Sequence, residues 1–185
     1  MNTDKMLSTN LLEDFRVQVK NNFDTLFNTP KSLPSIFFNG TSAYISVANN
    51  ADINFGTGTF SYIGEHIFKN GNTGRVKAYK YVSSTGFQIF HTTTNKIQAT
   101  IGDGTNVWNI VSTNTITDGK FHVIGYVHGV DSASSKLFID GIEDTTASKT
   151  GTFPTLTKSN ALSLYLGSVN GAVHKNETRM NRVFN

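Results

Sequence analysis

Residues 118–127 read DGKFHVIGYV, and residues 136–141 read KLFIDG. In both stretches apolar and polar residues alternate, and a glycine-bearing turn stands beside the alternation. A period of two is the pattern of a half-buried strand, and Asp-Gly between two such runs favours a two-residue hairpin turn. The two stretches therefore predict antiparallel strands, with Asp140-Gly141 as the turn that follows the second.

The same pattern continues through the chain from residue 35 onward. Sixteen glycines and three prolines in 185 residues suit many short strands joined by tight turns. A dozen short strands at this spacing predict a two-sheet antiparallel sandwich. We predict them at residues 35–38, 43–47, 59–67, 76–82, 86–92, 96–101, 107–111, 120–128, 135–139, 142–146, 161–166 and 179–184.

Residues 38–47, FNGTSAYISV, complete a set of motifs that resembles a known family. In concanavalin A-like, laminin-G-type jelly-roll domains, F-x-G-x-x-x-Y-[IV] opens the sandwich, and D-G-x-[WF]-H followed by L-[YF]-[IV]-D-G marks its middle. The stretch 164–167 and the closing stretch 179–185 are similar to late strands of that family. The resemblance covers about residues 35–185 and implies a mainly β jelly roll that presents a ligand. Phe121 stands where the family usually has tryptophan.

Residues 11–27 carry the helical pattern of the chain, with apolar residues three or four positions apart at Leu12, Phe15, Val19, Phe23 and Leu26. Pro30 and Pro34 then end the helix. We therefore divide the chain into a helix with its linker, residues 1–34, and a β-sandwich, residues 35–185. The apolar stripe packs either on its own sandwich or against other copies of the chain. We favour a self-associating coil, a trimer before a dimer, with these residues as the docking seam.

Composition argues against several classes of protein. The net charge is only +3, and the nearest approach to a basic and aromatic run, residues 77–81, is typical of a solvated strand face, so we do not expect nucleic-acid binding. The chain has no cysteine, which excludes disulfides and Cys-ligated metals. No stretch approaches eighteen consecutive apolar residues, so we expect no membrane span.

The N-terminal residues lack the apolar run of a secretory signal. Together with the absence of cysteine, this indicates a protein made in a host cytoplasm. A bacteriophage virion protein released by lysis fits that expectation better than an animal extracellular laminin-G module. We therefore expect the protein to reside in the virion.

Catalysis is not expected. Glycoside hydrolases of this fold use paired carboxylates, which the glucanase relatives write as E-x-D-x-x-E. The four glutamates here do not have that spacing, and Glu143 and Asp144 are neighbours that would face opposite sides of a strand. The sequence predicts no catalytic residue. A carbohydrate-binding module or a glycoside hydrolase of the same fold remains the alternative function.

Few residues stand out as binding candidates. We expect no cofactor, with calcium as the exception to test: Asn49, Asp52 and Asp131 lie in predicted loops and could supply oxygen ligands, although Asn and Asp also form turns by themselves. Trp108 is the single tryptophan. Alternation places it on one strand face with Ile110, which favours the core, and a partly exposed platform for a sugar or a protein is the alternative.

These observations predict a non-enzymatic virion component. The expected protein is a head-fibre, tail-fibre or decoration module, in which the N-terminal helix oligomerises or docks on other virion proteins. The jelly roll is then displayed outward, and it adheres to a host-surface glycan or to a virion partner.

Overall fold

The computed structural model describes residues 36–39, 43–69, 75–169, 172–173 and 175–184, with side chains described within residues 43–68 and 76–167. The predicted helix and linker, residues 1–34, lie outside the described residues. The division of the chain at residue 34 therefore stays a prediction.

The described residues are almost entirely β-structure, with one short turn of 3₁₀ helix at Ala51–Ile53. Asn50 caps this turn, since its side chain accepts a hydrogen bond from the backbone N–H of Asp52 at 2.9 Å. The strands are β1 (Ile36–Asn39), β2 (Ile45–Val47), β3 (Phe60–Lys69), β4 (Arg75–Val82), β5 (Thr85–His91), β6 (Ile97–Asp103), β7 (Val107–Val111), β8 (Asp118–His128), β9 (Lys136–Ile139), β10 (Ile142–Glu143), β11 (Ser148–Gly151), β12 (Leu164–Leu166), β13 (Ser168–Val169), β14 (Ala172–Val173) and β15 (Lys175–Phe184).

The strands form two antiparallel sheets. The six-stranded sheet has the order β1-β15-β3-β8-β9-β10, and the seven-stranded sheet has the order β11-β7-β6-β5-β4-β12-β2. Strands β13 and β14 pair separately as a short ribbon. The two large sheets confirm the mainly β, two-sheet antiparallel jelly-roll fold predicted from the alternation.

The Asp140-Gly141 turn is confirmed. Ile139 and Ile142 face each other across β9 and β10, so two residues connect the strands. Asp140 has φ 53° and Gly141 has φ 80°. A two-residue turn with both central residues at positive φ matches the right-handed twist of the flanking strands.

The structure also differs from the predicted strands. The strand predicted at 142–146 ends at Glu143, the one predicted at 161–166 begins at Leu164, and the last strand begins at Lys175 instead of residue 179. Strand β11 was not predicted, because Ser-Lys-Thr-Gly has no apolar alternation and all four residues are exposed. It forms because its backbone pairs with the edge of β7.

Among the described side chains, the core lies between the sheets and is built from the inward residues of β3 to β9 and β12, with Ile53, Phe55 and Ile116 from outside the strands. Phe60 is at its centre, with its ring centroid 4.3 Å from that of Phe55 and 5.1 Å from that of Phe87. Full burial of an apolar side chain of this size contributes about 1.5–3 kcal/mol. The largest of the fully buried apolar and aromatic residues are Trp108, Tyr62, Tyr126, Phe68, Phe87, Ile89, Ile97, Ile101, Ile110 and Ile124.

Candidate functional site

The outer face of the seven-stranded sheet carries an aligned row of uncharged polar and aromatic residues. On β4 to β7 and β12, the residues flanking this row along each strand are buried in the core, so the row itself faces outward. Strand pairing places one residue of each strand directly opposite the next. With about 4.8 Å between strands, the row is roughly 29 Å long. In sheet order it is Thr150, Asn109, Thr100, Gln88, Tyr79, Tyr165 and Ser46.

Four tyrosines gather at the β2 end of this face. Tyr165 stands opposite Tyr79, and its ring centroid lies 6.0 Å from that of Tyr44 at an angle of 50°. Tyr44 is 44% exposed, and the other rings are half-buried. Tyr81 lies two residues beyond Tyr79 on the same face of β4. The rings are therefore partly accessible and close to one another.

A glycine lets the Tyr81 ring lie along the sheet. A Cβ on Gly102 would stand 3.2 Å from Cε2 of Tyr81 and 2.0 Å from the backbone oxygen of Ser84. Any larger residue at position 102 would push the ring and the β4–β5 turn away. The local sequence thus sets the height of this ring above the sheet.

The other half of the face is a fixed cluster of amides and a hydroxyl. Nε2 of Gln98 donates to Oδ1 of Asn109 at 2.9 Å and to Oγ1 of Thr100 at 3.0 Å, and Oγ1 of Thr100 donates to Oδ1 of Asn109 at 2.7 Å. This network leaves Oε1 of Gln98 as an acceptor and Nδ2 of Asn109 as a donor at the surface. We call this set, Tyr44, Tyr79, Tyr81, Tyr165, Gln98, Thr100 and Asn109, the tyrosine–amide face.

The tyrosine–amide face is electrically neutral. Its seven members and the other residues of the row have no charged side chain. Burial, and then the nearby Tyr81 phenol, raise the pKa of Tyr79, so its hydroxyl stays protonated and can donate a hydrogen bond at neutral pH. The face can therefore stack on apolar ring surfaces and hydrogen-bond to hydroxyl groups, but it offers no counter-charge to an ionic ligand.

This face was not predicted from the sequence. Its tyrosines are separated by up to 121 positions along the chain and meet only through strand register. The prediction that residues 77–81 form a solvated strand face is half right. Tyr79 and Tyr81 face outward, but Lys77 and Lys80 are each only 2% exposed. The alternation of tyrosine along residues 77–81 was the available signal.

Trp108 lies in the core, and the alternative of an exposed stacking platform is wrong. Its side chain is 2% exposed, and its ring centroid is 5.5 Å from that of Phe153 and 6.5 Å from that of His128. Alternation along β7 buries Trp108 with Ile110, so neither ring face is open to a ligand.

Two of the three calcium candidates, Asn49 and Asp131, accept hydrogen bonds from protein groups. Oδ1 of Asn49 accepts from Nδ2 of Asn54 at 2.9 Å and from Nζ of Lys80 at 2.8 Å. Asp131 accepts from the backbone N–H and the hydroxyl of Ser134, both at 2.7 Å. Asp52 lies in the 3₁₀ turn. Within the described part of the chain, no three His, Asp or Glu side chains are placed to hold a metal ion.

The two glutamates whose side chains are described, Glu65 and Glu143, do not form a hydrolase pair. Glu65 is on β3 and Glu143 is on β10, three strands apart in the six-stranded sheet. That separation is about 14 Å at the strand spacing, beyond the roughly 5–9.5 Å of glycosidase pairs. Glu143 instead pairs with Lys136 at 2.8 Å.

A histidine clasp joins Asp118, at the start of β8, to the Asp140-Gly141 turn. Nδ1 of His122 lies 2.7 Å from Oδ2 of Asp140, and its Nε2 lies 3.0 Å from Oδ1 of Asp118. Burial lowers the pKa of His122, but the two carboxylates outweigh this and raise the pKa above its usual value. The hydrogen bond from His122 lowers the pKa of Asp118. This cluster connects β8 to the β9–β10 turn.

The predicted oligomerisation residues lie outside the described part of the chain: Leu12, Phe15, Val19, Phe23 and Leu26. Their role stays a prediction. Among the described residues, no helix is long and apolar enough to span a membrane.

Comparison with known proteins places the fold. No family model and no curated protein matches the sequence. Domains LG4-5 of the mouse laminin alpha1 chain align with a TM-score of 0.57 and 14% identity over 80% of this chain. The binding domain of botulinum neurotoxin DC, solved in complex with rat synaptotagmin II, aligns with a TM-score of 0.60 and 14% identity over 84%.

A third solved structure is of botulinum neurotoxin type C, whose cell entry depends on interaction with two ganglioside molecules. It aligns with a TM-score of 0.58 and 12% identity over 84% of this chain. This chain spans about 40% of the length of each of the three. Identities this low show the fold alone. The described residues between Ile36 and Phe184 have a jelly-roll fold similar to that of these laminin-G and toxin domains.

Proposed function

We propose that this protein is a non-enzymatic binding module that holds a neutral carbohydrate chain on the tyrosine–amide face. The observation that carries the proposal is the alignment of seven uncharged residues across seven strands. Tyr79 and Tyr165 of this row lie with two further tyrosines near one end of the face, and the amide cluster lies towards the other. A row of roughly 29 Å matches an extended oligosaccharide better than a single sugar.

The chemistry of the face suits sugars. A pyranose ring has an apolar C–H surface, which stacks on an aromatic ring, and hydroxyl groups at its edge. The Tyr44, Tyr165 and Tyr79 rings supply the stacking surface. Oε1 of Gln98 and Nδ2 of Asn109, held in place by their shared network, supply one acceptor and one donor to neighbouring hydroxyls.

We further propose that the module belongs to a bacteriophage virion, as a head-fibre, tail-fibre or decoration protein. Two features support this placement. A chain of 185 residues without cysteine does not depend on disulfides and suits assembly in a reducing cytoplasm. The apolar stripe predicted in residues 11–27 supplies a means of trimerisation or of docking to another virion protein.

Glycan-array binding tests the proposal. The array should contain neutral hexose and N-acetylhexosamine oligosaccharides beside sialylated and uronic-acid ones, and we expect binding to neutral chains of four or more sugars. Tyr79→Ala removes the ring that lies between Gln88 and Tyr165 in the row and should weaken the affinity for the selected chain about tenfold, equivalent to about 1.4 kcal/mol. Reducing-sugar release on the same sample should stay at background.

Phe138→Ala is the matched control, because Phe138 is a half-buried aromatic residue on the other sheet. It should leave glycan affinity unchanged. Binding restricted to acidic glycans, or equal loss of affinity in both variants, would contradict the assignment of the face. Release of reducing sugar would contradict the non-enzymatic role.

A further inference from the structure

Lys80 is a buried cation two residues before the end of β4. Its neighbours Tyr79 and Tyr81 face outward, so alternation turns Lys80 inward, where it is 2% exposed. A buried ammonium loses its hydration, and burial lowers the pKa of Lys80 accordingly. Such a charge is tolerated when surrounding oxygens replace the water.

Four oxygens converge on this ammonium. Nζ of Lys80 donates to the backbone oxygen of Leu162 at 2.5 Å, to Oδ1 of Asn49 at 2.8 Å and to the backbone oxygen of Asn160 at 3.1 Å. Oδ1 of Asn160 lies further out, at 3.5 Å. The three short contacts account for the three protons of the ammonium. All four acceptors are uncharged carbonyl oxygens.

A set of neutral carbonyl oxygens around one centre is the ligand set of a monovalent cation such as potassium. Calcium sites, by contrast, usually include carboxylates to balance the second charge. The four oxygens around Lys80 contain no carboxylate, and Asn49, a calcium candidate from the sequence, is one of the residues that supplies them.

The Lys80 ammonium connects segments that lie next to the four tyrosines of the face. Lys80 lies between Tyr79 and Tyr81 on β4, Asn49 follows β2 by two residues, and Leu162 precedes β12 by two residues. The segments that contain Asn49 and Leu162 also lie side by side, since the backbone N–H of Lys158 donates to the oxygen of Gly56 at 2.7 Å. Lys80 thus connects β4 to the segments beside β2 and β12, and the tyrosines of the aromatic end lie on or next to these three strands.

We propose that these four oxygens form a monovalent-cation site that the protein fills with its own lysine ammonium. The Lys80 ammonium takes the place of a bound structural cation, and it positions the tyrosines at the aromatic end of the face. Removal of the side chain leaves a site that takes free ammonium or potassium from solution. This inference does not depend on what the face binds.

Chemical rescue tests the proposal. In Lys80→Ala the thermal midpoint should fall by roughly 5–10 °C in choline chloride, whose cation is too large for the site. Ammonium chloride, at the same concentration and ionic strength, should restore at least half of that loss, since a ligand that binds the folded state alone stabilises it. Potassium chloride should restore part of it, and the wild type should melt at one temperature in all three salts.

Two controls make the rescue specific. Lys80→Met fills the space with an apolar chain, so ammonium should not restore its midpoint. Lys158→Ala removes a lysine that is 3% exposed and whose ammonium makes no hydrogen bond to the described residues, and its midpoint should be the same in ammonium and choline chloride. Equal melting of Lys80→Ala in the two salts, or rescue of all three variants alike, would overturn the proposal.

If Lys80→Ala does not fold, a double-mutant cycle with Asn49→Ala and Lys80→Met decides the question. The losses in thermal midpoint should be clearly less than additive, because each change removes one side of the same contact. Additive losses would show that the ammonium and the amide oxygen do not act together, and would refute the site.

Discussion

Replacement of Asp103 should be one of the most damaging single polar changes in this domain. Its carboxylate, 7% exposed at the end of β6, accepts from four backbone N–H groups: Asn106 at 2.7 Å, Thr155 at 2.9 Å, and Thr105 and Leu156 at 3.0 Å. Two of these lie in the β6–β7 turn and two in the long segment between β11 and β12. The carboxylate therefore holds together two segments about fifty residues apart.

The expected loss of stability on replacing Asp103 follows from these four hydrogen bonds. A hydrogen bond to a charged group contributes a net of about 1.5–3 kcal/mol, and a buried donor without an acceptor costs a similar amount. Three of the four donors belong to exposed residues, Thr105, Thr155 and Leu156. In the variant, water can therefore accept part of the hydrogen bonds that the carboxylate accepted. We therefore expect Asp103→Ala to lower the free energy of unfolding by about 3–5 kcal/mol, less than the sum, and Asp103→Asn by about 1–2 kcal/mol.

The same cluster predicts an acid dependence. Burial raises the pKa of Asp103, but the N–H donors outweigh it and hold the pKa far below its usual value. The stabilisation is then complete above the unfolded-state pKa of about 3.9 and is lost as the pH falls towards the folded-state value. In Asp103→Asn the free energy of unfolding should fall less steeply between pH 4 and about pH 2.

The loss in free energy of unfolding is measured by urea unfolding at neutral pH, with tryptophan fluorescence as the signal. Asp131→Ala is the control, because Asp131 also accepts backbone and hydroxyl hydrogen bonds but joins residues only three apart. Its midpoint should shift far less. A loss below about 1 kcal/mol for Asp103→Ala, or equal shifts in both variants, would refute the reasoning that this carboxylate links two segments.

Three further predictions concern the clasp, the binding face and the helix. Because the pKa of His122 is raised, the protonated imidazole stabilises the fold at low pH, and this stabilisation is lost as the pH rises through the folded-state pKa. His122→Asn should therefore flatten the dependence of the thermal midpoint on pH near 6–8, and an unchanged slope would contradict the clasp. Gly102→Val places a Cβ 2.0 Å from a backbone oxygen and should cost about 2–3 kcal/mol in urea unfolding, whereas a neutral Gly102→Val would contradict the close approach. Leu12→Asp with Val19→Asp should convert a trimer into a monomer in sedimentation while the sandwich keeps its thermal midpoint; a monomeric wild type would exclude the coil.

Much of the fold could be read from the sequence, because its signals are local. Alternation in β7 places Trp108 on the buried face beside Ile110. Asp140-Gly141 is a turn because the two central residues must adopt positive φ, which a glycine adopts without strain. Strand β11 escaped prediction because its pairing with β7 depends on backbone and not on side-chain pattern.

The candidate site could not be read in this way. Alternation shows that Tyr79 and Tyr165 each face away from the core, but it does not say that their strands are neighbours or in what register. The position of Lys80 could not be read from the sequence either. Its charge suggests an exposed side chain, although four oxygens from distant segments surround its ammonium. The sequence alone determined most of the strands, the burial of Trp108 and the tight turn, since these depend on neighbours within a few residues. The tertiary structure decided which outward residues share a surface and which charge is buried, because both depend on pairing between segments far apart in the chain.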